Sequence, residues 1–457
     1  MTLRVHDTLQ RDKVDLDLRD PDAVSIYVCG PTVYDVPHVG HGRTALFYDV
    51  IRRYLTWRGF AVRYVSNITD IEDKIIARAA EQGASTSEVA RQNEVAYWEQ
   101  LDRLGVQRPD VMPRATEYID EMLDLIGMLV EAGHAYAVDG QGVYFDVASY
   151  GGYGALAHRS IDQLLDSAGA RVEVDVTKRS PIDFALWKAS KPGEPTWDSP
   201  WGPGRPGWHI ECSAMALGLL GEGFDLHGAG DDLVFPHNEN ERVQAEAAGR
   251  RFARHWMHSG MVEIGGEKMS KSLGNFRTLA DALDAHGPRA FRLAALQTHY
   301  RKATELGDAE LSSAAAGLGR LDAVVRRAAV AGVAWSGAPI DDASRQAFVA
   351  AMDDDFATPG ALASVFEAAA AANVAIDAGD LERAAPLVAA MVGLSRVLGL
   401  AVGDAGESDD EVDALVAARD DARARRDFAA ADQIRDELAR RGITLEDGAG
   451  GTTWHRA

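Results

Sequence analysis

The sequence predicts an α/β protein: a parallel sheet split by an insertion, then an α-helical bundle and a small C-terminal unit. Three observations carry that expectation. Residues 24–28, Val-Ser-Ile-Tyr-Val, form a buried-strand pattern that runs through a Gly- and Pro-containing loop into a helical segment. Between 123 and 206 the texture changes, with a Gly151-Gly152-Tyr153-Gly154 run and many Trp, Pro and Gly from 187 to 208. From 306 to 400 the chain is Ala-rich and helical, and an acidic stretch, 403–413, separates a last short segment.

The first strand is followed by a helix opening near 40–43, in which Leu46, Phe47, Val50, Ile51, Tyr54 and Leu55 recur at the spacing of one helix face. A second β-like run, 62–65, precedes another helical stretch around 71–80. Strand–helix–strand–helix order is how a parallel sheet begins, and ligands of such sheets gather at the carboxyl ends of the strands, where Cys29 falls. The segment 123–206 reads as an inserted subdomain that returns to the sheet near Trp208. Ala runs such as 369–372 are commonly packed bundles and carry no chemistry of their own.

Composition narrows the function classes. A 457-residue chain with 46% hydrophobic residues holds ample core for two to four domains. Residues 1–20 are charged throughout, and no stretch approaches the ~18 consecutive apolar residues of a membrane span, so a cytoplasmic protein without membrane contact is expected. The formal charge of −23 argues against an extensive nucleic-acid surface, unless charge is segregated on the fold. Two cysteines, Cys29 and Cys212, cannot build a disulfide framework, which leaves inert thiol, nucleophile or metal ligand.

Three constellations bear on chemistry. His38-Val39-Gly40-His41 lies at a strand-to-helix turn: two imidazoles can face one ligand, and the helix start offers N–H groups to an anion. The same tetrapeptide also suits a metal pair or ordinary caps. Lys268-Met269-Ser270-Lys271-Ser272 is a compact cationic loop, suited to a triphosphate or merely to a solvated surface. Cys29, Cys212, His237 and Glu241 form a plausible tetrahedral zinc set, with His237 and Glu241 on one face if that segment is helical. His209, His227 and Glu239 are rival ligands.

The two ATP-type segments in this order are the pairing of class I aminoacyl-tRNA synthetases. Across essentially its whole length the chain resembles the bacterial cysteinyl-tRNA synthetases. The resembling segments are 27–35 (Tyr-Val-Cys-Gly-Pro-Thr-Val-Tyr-Asp), 38–41, 207–215, 227–241, 257–260, 268–276 and 451–454. The resemblance implies a Rossmann-type catalytic domain over 1–122 and 207–255, split by the insertion 123–206. It also implies a stem-contact region 256–305 bearing the Lys268–Ser272 loop, a helical bundle 306–402, and a linker with an anticodon-binding domain over 403–457. It implies zinc, one per chain, on Cys29, Cys212, His237 and Glu241. ATP, accompanied by Mg²⁺, falls to His38, His41, Lys268 and Lys271, and substrate-pocket roles to Thr69 and Trp208. Two departures stand out: Asn238 replaces a second His usual in the family, and Ala229 and Asp231 alter a Gly-rich stretch.

The activity so implied is activation of L-cysteine with ATP and transfer to tRNA(Cys), by a monomer. A zinc–thiolate bond would separate cysteine from serine, a distinction that a hydrophobic pocket makes only weakly, so no editing domain is expected. Because four ligands already fill a tetrahedron, Glu241 is the candidate for displacement by the incoming thiol. In the tail, Arg419, Arg423 and Arg426 are spaced as one helix face; Phe428 could stack on a base, and Asp432 or Asp447 could accept from base amino groups. The alternative activity is the ATP-dependent cysteine ligase of mycothiol biosynthesis, which has no use for such a tail.

Overall fold

The computed structural model describes residues 3–169, 178–269, 275–403, 410–441, 443–448 and 451–456. A hairpin of β1 (Arg4–Asp7) and β2 (Asp12–Asp15) precedes β3 (Ala23–Val28), α1 (Val39–Trp57), β4 (Ala61–Ser66), α2 (Asp73–Gln82) and α3 (Thr86–Arg103). Then α4 (Ile119–Glu131) leads to β5 (Ala135–Val138), β6 (Gly142–Phe145), α5 (Ile161–Gly169), β7 (Phe184–Ala189) and β8 (Gly204–Pro206). These four strands make one antiparallel sheet in sequence order. The chain returns through α6 (Trp208–Leu220), β9 (Leu226–Gly230), α7 (Glu239–Ala247) and β10 (His255–Ser259).

The parallel sheet has the order β10-β9-β3-β4. Chain order reverses between β3 and β9, so the loops leaving their carboxyl ends part and open a crevice. Cys29 is the first residue beyond β3, and its N–H donates to Gly228 O at 2.9 Å, across that boundary. The antiparallel insertion is not a separate body. Leu125, Val143 and Phe145 share one buried core with Tyr27, Ile210 and Trp256.

Beyond the sheet lie β11 (Val262–Ile264), β12 (Glu267–Lys268), α8 (Leu279–His286), α9 (Pro288–Leu296) and β13 (Thr304–Glu305), the strands ordered β12-β11-β13. Buried Arg43 of α1 fixes the root of this small sheet. Its guanidinium donates to the carbonyls of Gly260, Met261, Tyr300 and Lys302. Four carbonyls satisfy a cation that burial would otherwise penalise heavily.

The described residues form two compact units: Met1–Leu311 with Met352–Thr358, and Ser312–Ala351 with Pro359–Ala457. In the first, three consecutive aspartates hold the returning segment. Asp353 accepts from Tyr54 and Arg58, Asp354 pairs with Lys13, and fully buried Asp355 accepts from His6 N, Tyr300 Oη and Arg301 Nε. Helices α10 (Asp308–Val330), α11 (Asp342–Asp353), α12 (Thr358–Asp377) and α13 (Leu381–Val397) make up the Ala-rich region. By length and composition α12 could cross a membrane, but Ala361, Val365, Ala368, Ala372 and Ala375 are buried inside the protein, as in a core helix. The tail holds α14 (Asp410–Ala424), α15 (Phe428–Arg440), β14 (Ile443–Gly448) and β15 (Gly451–Arg456) around its own small core of Val412, Val416, Leu438 and Ile443.

Candidate metal and nucleotide site

His38 is the N-cap of α1: its Nδ1 accepts from Gly40 N at 3.1 Å and from His41 N at 3.4 Å. His41 returns the bond, its Nδ1 accepting from His38 N at 3.3 Å, and the two rings stack with centroids 3.8 Å apart. With both Nδ1 atoms accepting, the proton of each neutral ring sits on Nε2. Burial, then the neighbouring His38, lowers His41 to about 3, so it is a neutral donor at physiological pH. A Cβ on Gly40 would lie 2.9 Å from the His38 ring, so the stacked pair needs glycine between its members.

The segment after the Lys/Ser loop packs on this helix start. Val39 N donates to Arg277 O at 3.3 Å, Leu279 N to Pro37 O at 2.9 Å, and Phe276 meets the His38 ring edge-on at 5.6 Å. Lys268 ends β12; its side chain, and all of Lys271, lie outside the described residues.

Cys29, Cys212, His237 and Glu241 converge, their ligand atoms all within 4.8 Å of one another. Tetrahedral zinc, with bonds of about 2.0–2.3 Å, needs edges somewhat shorter than that, so the group needs only a small contraction to close on an ion. The kink before α7 makes this possible: Phe235 leaves helical geometry while His237 to Glu241 winds on, placing His237 Nε2 3.0 Å from Glu241 Oε1. Cys29 Sγ lies 3.3 Å from the same oxygen. The loop carrying Cys29 can approach because residue 30 is glycine; a Cβ there would sit 1.6 Å from Asn67 O.

The electrostatics are those of a site that attracts a cation. Hydrogen bonding to Cys29 lowers Cys212 to about 6 against the effect of burial, while burial and the shared proton push Cys29 up. Burial opposes charge on His237, yet Glu241 and Cys212 raise it to about 10; burial likewise opposes Glu241, which His227 and His237 hold well below the carboxylate range. A positive charge is thus drawn to where the four ligands meet. The hydroxyl of fully buried Tyr27 faces both thiols, and burial and then the neighbouring Cys212 and Cys29 push it well above the ordinary phenol range, so it stays protonated beside them. The donor set therefore fits a soft divalent ion.

The rival ligands stand behind the four. His209 Nδ1 meets His237 Nδ1 at 2.9 Å, and His227 Nε2 meets the other oxygen of Glu241 at 2.8 Å, as outer partners that orient ligands do. Glu239 turns away, accepting from Ala157 N and Arg242. Asn238, the departure from the family pattern, bridges Glu241 Oε1 (2.7 Å), Cys29 Sγ (3.4 Å) and His258 Nε2 (2.9 Å). Ala229 is buried in β9, its N–H and C=O both bonded by Tyr48 Oη.

Trp208 lies against His237, ring centroids 4.2 Å apart, and Thr69 is buried with its hydroxyl on Glu211 at 2.9 Å. Tyr27, Asn67, Glu211 and His258 escaped the sequence reading. A carboxylate inside the apolar run of α6 was the available signal for Glu211; nothing local marked the others.

In the tail the one-face reading of the arginines needs correction. Helix α14 ends at Ala424, and Arg426 lies beyond it at φ 61°, so the i+7 position does not exist. Arg419 is only 7% exposed and donates to Thr452 Oγ1 at 2.8 Å, tying α14 to β15. Arg423 and Arg426 are exposed, as is Phe428 at 64%, while Asp432 pairs with Arg435 at 2.9 Å. The side chain of Asp447 lies outside the described residues.

Comparison with known proteins joins these features. The family model described as tRNA synthetases class I (C) catalytic domain matches residues 16–316, the DALR domain 347–402, and the cysteinyl-tRNA ligase anticodon binding domain 405–454. The cysteine–tRNA ligase of Thioalkalivibrio sulfidiphilus is 48% identical over 465 residues, covering 99% of this chain and 100% of that one. That of Alkalilimnicola ehrlichii is 49% identical over 469 residues, with coverage of 99% and 100%. Among solved structures, Mycobacterium tuberculosis methionyl-tRNA synthetase with methionyl-adenylate superposes with a TM-score of 0.60 at 18% identity, covering 83% of this chain and 90% of that one. The LeuRS–tRNA–LeuAMS complex of Agrobacterium radiobacter K84 gives 0.62 at 11% identity, with 84% of each chain covered. At such identities these two likenesses bear on the fold alone.

Proposed function

The chain belongs to the class I cysteine–tRNA ligases, and from that premise we propose how its residues divide the work. The enzyme activates L-cysteine with ATP and transfers the cysteinyl group to the 3′-terminal ribose of tRNA(Cys). In the first step the cysteine carboxylate attacks the α-phosphorus; a P–O bond forms, the bond to pyrophosphate breaks, and cysteinyl-adenylate results. A carboxylate is already nucleophilic at neutral pH, so positioning and charge stabilisation are what the protein must supply. His38 and His41 donate from Nε2 to the phosphates of the transition state. Lys268 and Lys271 take the β- and γ-phosphates, with Mg²⁺ accompanying the nucleotide. In the second step the ribose hydroxyl attacks the adenylate carbonyl and AMP leaves.

The single observation that carries the site assignment is the convergence of both cysteines with His237 and Glu241, at the crevice where α1 also begins. Zinc bound there supplies a borderline-soft Lewis acid that takes a thiolate in preference to a hydroxyl. Cys29, Cys212, His237 and Glu241 would hold it, Glu241 being the member that would make way for a substrate thiol, and His209 and His227 would orient these side chains from behind. Thr69 and Trp208 line the amino-acid pocket. Residues 123–206 form the insertion, 256–305 the stem-contact region and 403–457 the anticodon-binding part; there Arg423, Arg426 and Phe428 are the contacts best supported by exposure. The enzyme acts as a cytoplasmic monomer.

The test is cysteine-dependent exchange of pyrophosphate into ATP without tRNA, together with a metal analysis. Exchange that is absent from zinc-loaded protein overturns the reading. The mycothiol-type ligase is not favoured, because the match to an anticodon-binding domain runs over 405–454. Charging of tRNA(Cys) with cysteine, measured against serine, separates the two.

A further inference from the structure

Arg43 lies two residues beyond His41 in α1 and is buried. Positions two apart on a helix point about 200° apart, so this arginine leaves the opposite side of α1 from His41. Its guanidinium reaches two separate stretches of chain. Where β10 runs into β11 it bonds the carbonyls of Gly260 and Met261, the second at 3.2 Å. Where α9 leads to β13 it bonds those of Tyr300 (3.1 Å) and Lys302 (2.5 Å). The two stretches are themselves closely opposed: Gly260 N donates to Tyr300 O at 2.7 Å, and a Cβ on Gly260 would lie 2.5 Å from Lys302 O. Among the described residues, all the hydrogen bonds of this guanidinium go to main-chain carbonyls. A buried cation is an expensive way to fill space, because an apolar side chain packs there at less cost. What arginine adds is a planar fork that fixes two stretches of backbone relative to each other and to the helix that carries it.

Those stretches are the roots of β11 and β13, and β12, which ends in Lys268, pairs with β11 so that Lys268 stands opposite Glu263. From Arg43 to that strand end the path runs through Met261, Val262 and Glu263 alone. Beyond the Lys/Ser segment the chain is tied to the helix start again, by Val39 N on Arg277 O and Leu279 N on Pro37 O. One side of α1 therefore carries the stacked histidines, and the other sets where the strand bearing Lys268 begins.

We propose that Arg43 is a positioning residue for the polyphosphate of ATP: it fixes the span between the His38–His41 pair and the strand that ends in Lys268. This rests on the ATP roles given to those residues above. Failure of that reading would appear as absent pyrophosphate exchange in the unaltered enzyme, before any variant is made.

The experiment compares ATP with AMP, which lacks the β- and γ-phosphates, in cysteine-dependent exchange. Arg43→Lys keeps the charge, but its single nitrogen cannot span both stretches. Its kcat/KM for ATP is expected to fall about 100-fold, the loss that a displacement of about 1 Å brings. The Ki for AMP and the KM for cysteine should change less than about twofold, and metal content not at all. Parallel losses for ATP, AMP and cysteine, the mark of a general loosening of the fold, overturn the proposal, as does an unaltered kcat/KM for ATP. In a Lys268→Ala background, Arg43→Lys should cost less than about threefold; losses that multiply would show that the arginine does not act through Lys268 and would equally overturn it. Gly260→Ala displaces the same two roots without touching Arg43 and should reproduce the selective loss of ATP; a folded Gly260→Ala enzyme with normal use of ATP contradicts the proposal. Failure of both single variants to fold would make Arg43 a structural bolt only, and would overturn it as well.

Discussion

Cys212 is the residue whose removal tests the proposed metal apart from the rest of the site. Its side chain is 1% exposed and lies within ligand distance of three other candidate ligands. In Cys212→Ser a hard oxygen replaces a soft sulfur at one corner, so bound zinc should fall from about one per chain to a small fraction, and cysteine activation by at least about 100-fold. Elemental analysis of the purified variant beside its exchange rate checks both; full zinc with normal exchange would remove Cys212 from the ligand set. His258, buried behind Asn238, sets a pH dependence. Burial, and then His227, lower it to about 3, below the ordinary value of 6.5. Between those values the unfolded chain takes up a proton that the folded one refuses, so its contribution to stability is full above 6.5 and drains away as pH falls toward 3. In urea titrations, the advantage of the unaltered enzyme over His258→Asn should therefore shrink by roughly 1 kcal/mol per pH unit below 6.5. A difference that is constant from pH 7 to pH 5 contradicts the assignment.

The elements explain why ligands so distant in sequence meet. The β3–α1 loop carries Cys29 and His38, α6 carries Cys212, and the kinked entry to α7 carries His237 and Glu241. Gly30 is the tightest joint among them. A methyl group in Gly30→Ala would collide with the Asn67 carbonyl and push Cys29 outward, so metal content and exchange should drop together and stability by about 2–4 kcal/mol. Unfolding of the metal-free forms measures the second part, and an unchanged melting curve would refute the collision. Much at this scale was legible. Apolar spacing from Leu46 to Leu55 marked α1, 24–28 and 62–65 marked β3 and β4, and Cys, His and carboxylate marked candidate ligands by type, while only the family resemblance separated Cys29, Cys212, His237 and Glu241 from His209, His227 and Glu239. Partners that matter only by position were silent: Tyr27 reads as core, Asn67 as a turn, and that His237 rather than His209 or His227 joins the two cysteines and Glu241 follows from the chain's kink at Phe235. The arginine spacing in the tail misled for the same reason. Periodicity assumes a helix that continues, whereas this one ends at Ala424 and turns Arg419 inward.

At the scale of the whole molecule, the formal charge of −23 has to be reconciled with an RNA substrate. With 70 acids against 47 bases the excess survives any pairing, and Asp353, Asp354 and Asp355 lie outside it because each holds a cation, Arg58, Lys13 and Arg301, within the first unit. Asp355 is buried with a cation on one oxygen and two donors on the other, so Asp355→Asn should cost about 3 kcal/mol and lower the thermal midpoint while leaving the metal in place. The tail closes on separate apolar contacts, Val412 and Val416 with Leu438 and Ile443, and includes none of the candidate metal or ATP residues. Ending the chain at residue 402 should therefore leave cysteine-dependent pyrophosphate exchange within about twofold, since adenylate formation uses only the first unit. Charging of tRNA(Cys) should fall much further, through a higher KM for tRNA, because contacts far from the reacting ribose contribute binding that is felt equally in ground and transition states. Steady-state exchange and charging on the same preparation separate the outcomes. If the shortened enzyme charges tRNA(Cys) with an unaltered KM, the tail is not the anticodon-binding part, and Arg423, Arg426 and Phe428 lose their proposed role; if exchange collapses as well, the two halves do not work independently.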